Sequence, residues 1–181
     1  MSVKKGPWIV KGSKIVYKNP WMKVREDDVI RPDGNKEIFG VVNMLHGVTV
    51  LPLDEEGNVY LTKEYKYATE SYQIEGVSGG ITGNETKLET AKRELKEELG
   101  IIAEEWIDLG FINPYSNAIN ATTYLFLARK LKFSDYEREG TEEIEVLKMP
   151  FTEALDKVMK SEINHGGSVA VILKAKNYLG I

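Results

Sequence analysis

Residues 86–99 constrain this chain more than any other stretch, because their apolar side chains recur with a helical period. The apolar positions follow each other at steps of three, four and four, and so share one helix face: Leu88, Ala91, Leu95 and Leu99. Gly100 comes next and offers the left-handed conformation that commonly ends a helix. The spacing therefore predicts an amphipathic helix over residues 86–99, with one face packed against other elements.

The chain on either side of this helix has the character of β structure. Apolar runs bounded by turn residues fill most of residues 8–65, and further runs follow the helix, at 106–112, 122–131 and 144–149. The turn residues Gly12 and Ser13, placed between apolar residues, predict a hairpin. Thr152 and Ser168 are candidate N-caps of two final helices.

Strands around one helix, followed by two more helices, predict a mixed α+β fold. We expect residues 1–45 to form a small antiparallel β sheet of their own. Residues 46–181 are then the main domain.

The composition excludes several classes of site. The 181 residues include no cysteine, which rules out disulfides, thiolate metal sites and cysteine nucleophiles. The two histidines, His46 and His165, match no metal-binding spacing.

A net charge of −4, from 24 basic and 28 acidic residues, argues against a nucleic-acid partner. There is no secretory signal and no apolar run of the ~20 residues that cross a bilayer, so we expect a cytoplasmic protein with no membrane partner.

Carboxylates crowd the polar side of the predicted helix. Five glutamates fall within fourteen residues: Glu85, Glu89, Glu94, Glu97 and Glu98. The last three lie within two helical turns, and like charges so close repel each other unless a cation sits among them. Carboxylate oxygens without imidazole or thiolate suit a hard ion, Mg²⁺ or Mn²⁺.

A simpler interpretation of the same residues is an exposed helix laced with ion pairs. Arg93 lies four residues after Glu89 and four before Glu97, which is the spacing of such pairs. Each exposed pair contributes only ~0.3–0.5 kcal/mol. The helix alone leaves both interpretations open.

The flanks of the helix favour the metal site. Residues 79–101 read GGITGNETKLETAKRELKEELGI. This segment resembles the Nudix box, the signature of Nudix hydrolases, with Gly79, Glu85 and the run from Arg93 to Gly100 at the defining positions. The resemblance implies an α/β/α sandwich with a mixed sheet. It also implies an active site in which helix glutamates hold divalent cations that bind a diphosphate.

The resemblance further implies roles for single residues. By motif position, Glu94 and Glu98 are metal ligands, and Glu97 is either a ligand or a neighbour that supports one. Arg93 orients a glutamate of the cluster. The backbone carbonyl of Ser78 is a further candidate metal ligand.

Other segments resemble one Nudix subfamily, the ADP-ribose and nucleoside diphosphate sugar pyrophosphatases. They are residues 19–21, 31–34, 64–67 and 141–146. This likeness implies Mg²⁺-dependent hydrolysis of the pyrophosphate bond of nucleoside diphosphate sugars such as ADP-ribose, giving a nucleoside monophosphate and a sugar phosphate. It also implies an N-terminal sheet that contributes to a homodimer and to substrate contacts.

Three residues outside the box are candidates for binding the substrate. Trp21 suits stacking on a base or sugar, or it packs in the core or at an interface, which is the commoner place for such a residue. Lys66 stands where the subfamily tends to carry arginine and suits a phosphate contact as a point charge, or it is an exposed turn lysine. Glu75 precedes the box and suits a contact with substrate, or it is a solvated loop acid.

The chain departs from the subfamily at the expected catalytic glutamate. Aligning the 141–146 segment places Glu142 at the second of two acidic positions and Gly140 at the first. Either Glu139 substitutes, or Glu94 is the general base, or catalysis is impaired. The last case would make the protein a nucleotide-sugar-binding or sensing module. A Nudix hydrolase for another nucleoside diphosphate derivative is the remaining alternative.

Overall fold

The computed structural model describes residues 2–134 and 143–181 and divides them into two compact units. The first unit comprises the described residues within 1–45 and 113–121. The second unit comprises those within 46–112 and 122–181. Within the described ranges, no helix combines the length and the apolar character needed to cross a bilayer.

The first unit is a five-stranded sheet in the order β1-β2-β3-β4-β10. Its strands are β1 (Val3–Lys5), β2 (Trp8–Lys18), β3 (Met22–Ile30), β4 (Lys36–Met44) and β10 (Ile119–Asn120). The first four pair antiparallel, as predicted, and β10 adds a parallel edge strand beside β4. The Val42 N–H donates to the Ala118 carbonyl at 2.8 Å, which fixes residues 113–121 to this unit.

The predicted hairpin at Gly12 and Ser13 is wrong, because β2 runs through both residues as one strand. Its register against β3 shifts between Val10 and Gly12, so the glycine is accommodated at a β-bulge instead of a turn. The Ser13 hydroxyl donates to Asp27 Oδ1 at 2.5 Å and ties the two strands together at this point.

The second unit contains two sheets, ordered β8-β5-β11-β9 and β12-β6-β7. The strands of the first sheet are β5 (Gly47–Pro52), β8 (Val77–Gly80), β9 (Ile101–Ile112) and β11 (Thr123–Phe133). Those of the second are β6 (Asn58–Lys66), β7 (Ser71–Glu75) and β12 (Glu145–Pro150). The first sheet is mixed, because β5 runs parallel to β11 whereas its other pairs are antiparallel.

Successive side chains of the central strands point to opposite faces of the mixed sheet, so a hydrophobic core forms on each face. Val48 and Val50 of β5 belong to one core, together with the apolar stripe of helix α1 (Lys87–Leu99). Leu51 belongs to the other, which is covered by α2 (Phe151–Met159) and α3 (Gly166–Leu179). Helices on both faces make this unit an α/β/α sandwich, as the resemblance to Nudix hydrolases implies.

Helix α1 begins and ends as predicted. The Thr86 hydroxyl accepts from the Glu89 N–H while the Glu89 carboxylate accepts from the Thr86 N–H, which forms a capping box. Gly100 closes the helix with φ at 62°, a left-handed conformation that favours glycine.

The predicted starts of the last two helices are wrong. Helix α2 begins at Phe151, because its buried ring belongs to the core and its N–H donates to the Gly57 carbonyl at 2.9 Å. Helix α3 begins at Gly166, and Ser168 lies inside it. The Ser168 hydroxyl is engaged with another part of the chain instead of capping its own helix.

Candidate active site

Strand β8 passes so close to α1 that one residue between them has no room for a side chain. A Cβ at Gly79 would overlap the side chain of Glu94, reaching its Cγ at 2.5 Å and its carboxylate more closely still. Since carbon atoms normally pack about 3.5–4.0 Å apart, only glycine allows this approach. The Glu94 side chain is 14% exposed and lies directly against the β8 backbone.

Arg93 gathers the carboxylates beside this contact. Its Nε and Nη2 donate to the two oxygens of Glu85 at 2.8 and 3.1 Å. Its Nη1 lies 2.8 Å from both Glu97 Oε2 and Glu94 Oε1. Arg93 thus meets three of the helix-side glutamates at once.

These contacts shift the pKa values of Arg93 and Glu85. The hydrogen bond to Glu85 is the main cause that raises the pKa of Arg93 above its usual value. Conversely, the Arg93 guanidinium lowers the pKa of the Glu85 carboxyl to about 2. Both groups therefore stay charged across the physiological range, which keeps the cluster ion-paired.

Lys66 lies beside a second group of carboxylates, those of Glu64 and Glu75. Its Nζ donates to Glu64 Oε2 at 2.5 Å and lies 3.9 Å from Glu75 Oε2. Burial acts to lower the Lys66 pKa, but the Glu64 hydrogen bond and the charges of Glu75 and Glu98 outweigh it and raise the pKa. The structure therefore brings two predicted site residues together, Lys66 and Glu75, and the charge of a third, Glu98, also acts on Lys66.

Ser78 lies in β8 immediately before Gly79. Its hydroxyl donates to the Gly76 carbonyl at 2.9 Å and shares a 3.0 Å hydrogen bond with Thr49 Oγ1 on the neighbouring strand. This bonding holds the backbone that leads into the Gly79–Glu94 contact.

Comparison with known protein families identifies the family of this chain. Residues 8–42 match the family described as nucleoside diphosphate sugar hydrolase N-terminal domain, and residues 45–166 match the NUDIX domain. The chain belongs to the Nudix family. The predicted resemblance to Nudix hydrolases is therefore confirmed.

Three proteins that the chain resembles are named as pyrophosphatases or hydrolases of nucleoside diphosphate compounds. The chain is 27% identical over 139 residues to the ADP-ribose pyrophosphatase of Bacillus subtilis (strain 168), covering 76% of this chain and 75% of that protein. It is 27% identical over 169 residues to a GDP-mannose pyrophosphatase of Shigella flexneri, covering 84% and 83%. A crystal structure of an ADP compounds hydrolase aligns with a TM-score of 0.83 at 20% identity, over 94% of this chain and 93% of that one. This structural match confirms the α+β Nudix fold.

The donor chemistry of the Nudix helix fits a hard divalent cation. Glu94, Glu97, Glu98 and the Ser78 carbonyl offer oxygen alone, which suits Mg²⁺ or Mn²⁺. Across residues 2–134 and 143–181, however, no three acidic or histidine side chains stand in a metal-holding arrangement. Arg93 Nη1 engages one carboxylate oxygen of each of two candidate ligands, Glu94 Oε1 and Glu97 Oε2.

The remaining predicted site residues belong to the first unit or fall outside the described residues. Trp21 belongs to the first unit and is 67% exposed, so it is not packed in the core of that unit. Its backbone N–H donates to Asn19 Oδ1 at 2.9 Å. Glu139, Gly140 and Glu142 lie outside the described residues.

Sequence reasoning missed two residues beside Glu75. His165 Nδ1 lies 3.6 Å from Glu75 Oε2, and Ser168 Oγ accepts from the Gly76 N–H at 2.8 Å. The available signal was the pair Gly166-Gly167 at the start of a helix, which is a poor helix former and indicates close packing.

Proposed function

We propose that this protein hydrolyses the pyrophosphate bond of nucleoside diphosphate sugars, giving a nucleoside monophosphate and a sugar phosphate. ADP-ribose is the first substrate to test. The observation that carries this proposal is the gathering of Glu85, Glu94 and Glu97 around Arg93, over the side-chain-free backbone of Gly79. The names of the relatives support the substrate class.

Mg²⁺, with Mn²⁺ as the alternative, would be held by Glu94, Glu97, Glu98 and the Ser78 carbonyl. When bound, such an ion neutralises diphosphate oxygens and acidifies a water molecule. The protein's own contribution is to hold the carboxylates in place. Arg93 does so through Glu97, and the Glu85 carboxylate in turn fixes Arg93 with two hydrogen bonds.

Three residues are assigned to the substrate itself. Lys66 supplies a positive charge for the diphosphate, since its raised pKa keeps it protonated. Glu75 is buried beside Lys66 and accepts from a substrate hydroxyl. Trp21 offers an exposed indole face for stacking on a base or sugar.

The general base is one of three carboxylates: Glu94, Glu139 or Glu142. Separate glutamine variants distinguish them, because loss of the base flattens the rise of kcat with pH, whereas loss of a metal ligand raises the Mg²⁺ concentration required. Gly140→Glu should raise the rate if that position lacks the base. An unchanged rate would remove Gly140 from the mechanism.

The first unit is assigned to dimerisation and substrate contacts, within a cytoplasmic homodimer. Several apolar side chains of this unit are more than half exposed, which suits a surface covered by a second copy: Val3, Ile15, Tyr17 and Ile38. Light scattering coupled to gel filtration tests this, since a monomeric mass at micromolar concentration would reject the dimer.

The activity is tested with the purified full-length chain, Mg²⁺ and a panel of substrates that includes ADP-ribose and GDP-mannose. Release of both products should be seen by chromatography. Glu94→Gln should lose at least about 100-fold in rate, the scale typical of removing one essential charge-stabilising group. Glu89→Gln is the matched control on the same helix, because glutamine preserves the capping box.

Failure to hydrolyse every nucleoside diphosphate derivative in the panel would reject the hydrolase. If calorimetry then showed tight binding of the intact compound, the binding or sensing alternative would take its place.

A further inference from the structure

The start of α3 is bonded to the strand that leads into the Nudix box. Ser168 is fully buried, and its Oγ accepts from the Gly76 N–H at 2.8 Å. The same Oγ forms a 2.8 Å hydrogen bond with His165 Nδ1 at the N-cap of α3. A histidine, a serine and a backbone amide 92 residues away in sequence therefore form one continuous hydrogen-bonded chain.

The His165 ring also faces Glu75. Nδ1 lies 3.6 Å from Glu75 Oε2, and the Glu75 side chain is only 11% exposed. On its other side the same carboxylate oxygen lies 3.9 Å from Lys66 Nζ. Glu75 is thus placed between a lysine that we assign to the diphosphate and a histidine that has no other role in the proposed reaction.

The start of α3 packs so closely against β5 that the contact between His165 and Glu75 is not incidental. A Cβ at Gly167 would overlap Thr49 Oγ1, so only glycine allows α3 to approach β5 this closely. Thr49 Oγ1 is in turn bonded to Ser78 Oγ, and Ser78 donates to the Gly76 carbonyl. Both the N–H and the C=O of Gly76 are therefore held by side chains.

We propose that His165 is a positioning residue for hydrolysis: its ring lies beside the buried Glu75 carboxylate and limits where that carboxylate can turn, and through Ser168 it fixes the Gly76 backbone that joins Glu75 to the box strand. The inference rests on the proposed function, because Glu75 is there assigned to the substrate. Its consequence is that the C-terminal helix takes part in setting the geometry of a site built mainly from β8 and α1.

Three single variants test the role of the ring. His165→Ala removes both contacts and should lower kcat for ADP-ribose by about 10- to 100-fold, the range seen when a supporting hydrogen bond behind a site residue is lost. His165→Asn places an amide near the position of Nδ1, able to donate or accept, and should stay within about threefold of wild type. Asn164→Ala, at the neighbouring exposed residue, is the matched control and should be equally mild.

A double-mutant cycle separates positioning from simple loss of structure. If His165 acts through Glu75, His165→Ala should change the rate of Glu75→Gln enzyme by less than about threefold, because the group it orients is already altered. A purely structural role would multiply the two effects and lower the thermal midpoint in both backgrounds. All variants are compared at matched folded fraction, checked by circular dichroism.

Several results would overturn the inference: wild-type rate in His165→Ala, failure of asparagine to restore it, or multiplying effects in the cycle. If wild type itself hydrolyses none of the nucleotide sugars, the proposed function fails. The same variants are then compared for ADP-ribose binding by calorimetry, where the same pattern is expected in Kd. Absence of both turnover and binding rejects the two together.

Discussion

Gly79→Ala tests the close contact on which the site depends. The added Cβ would overlap the Cγ, Cδ and Oε1 atoms of Glu94 and would reach Cγ at 2.5 Å. Carbon atoms require about 3.5–4.0 Å, so the Glu94 side chain must move by at least about 1 Å. A displacement of about 1 Å at a reacting group can cost about 100-fold in rate, equivalent to ~2.7 kcal/mol in the barrier.

The effect on folding should be smaller than the effect on rate. Overpacking a well-filled site costs about 1–3 kcal/mol, and we expect the lower end because the obstructing group is a side chain able to rotate. In a Glu94→Ala background the obstruction is gone, so Gly79→Ala should then destabilise by less than about 0.5 kcal/mol. Gly40→Ala, whose Cβ would meet nothing within 4 Å, is the matched control.

The assays are steady-state hydrolysis of ADP-ribose and urea unfolding of four proteins: wild type, the two single variants and the double variant. The reasoning is refuted if Gly79→Ala retains more than about a third of the wild-type rate, well short of the expected loss. It is also refuted if the unfolding penalty is the same with and without the Glu94 side chain, since the two residues would then not be in contact.

The carboxylate cluster and its helix allow three further predictions. Arg93→Lys should lower kcat by at least about tenfold, because a single ammonium cannot replace the fork that binds Glu85 and Glu97 together; a rate unchanged from wild type would exclude this role. Glu85 has a folded-state pKa lowered to about 2, so its contribution to stability is present above its unfolded pKa and is lost as the pH falls toward 2. The difference in urea unfolding between wild type and Glu85→Gln should therefore shrink from about pH 7 to about pH 3, and a constant difference would contradict it. Leu95→Ala should cost about 2–5 kcal/mol of unfolding free energy by the same assay, because Leu95 is fully buried, and a cost near zero would mean that the helix is not packed there.

The elements that the sequence predicts well are those whose signals are local. The apolar stripe of α1 and the left-handed Gly100 that ends it both depend on residues that are close in sequence. The Nudix box is likewise contiguous, so its residue types and their spacing can be recognised in the sequence alone.

The features that the sequence did not reveal depend on distant partners. Ser168 has the residue type of a helix cap, but its hydroxyl is used by Gly76 instead. Gly12 has the residue type of a turn, and only the pairing of β2 with β3 shows that it is a bulge. Whether such a residue ends an element or lies inside one is decided by tertiary contacts, which a local pattern does not contain.

The parallel strand β10 has a consequence for how this protein can be divided. Because residues 113–121 lie within the sequence of one unit but belong to the other, the first unit is encoded in two separate pieces. A fragment cut after residue 45 would leave behind an edge strand of its own sheet, and Val42 would lose the carbonyl of Ala118. Genetic exchange that shuffles such units between relatives must therefore transfer both pieces together, so the two halves of this molecule are expected to be inherited as one.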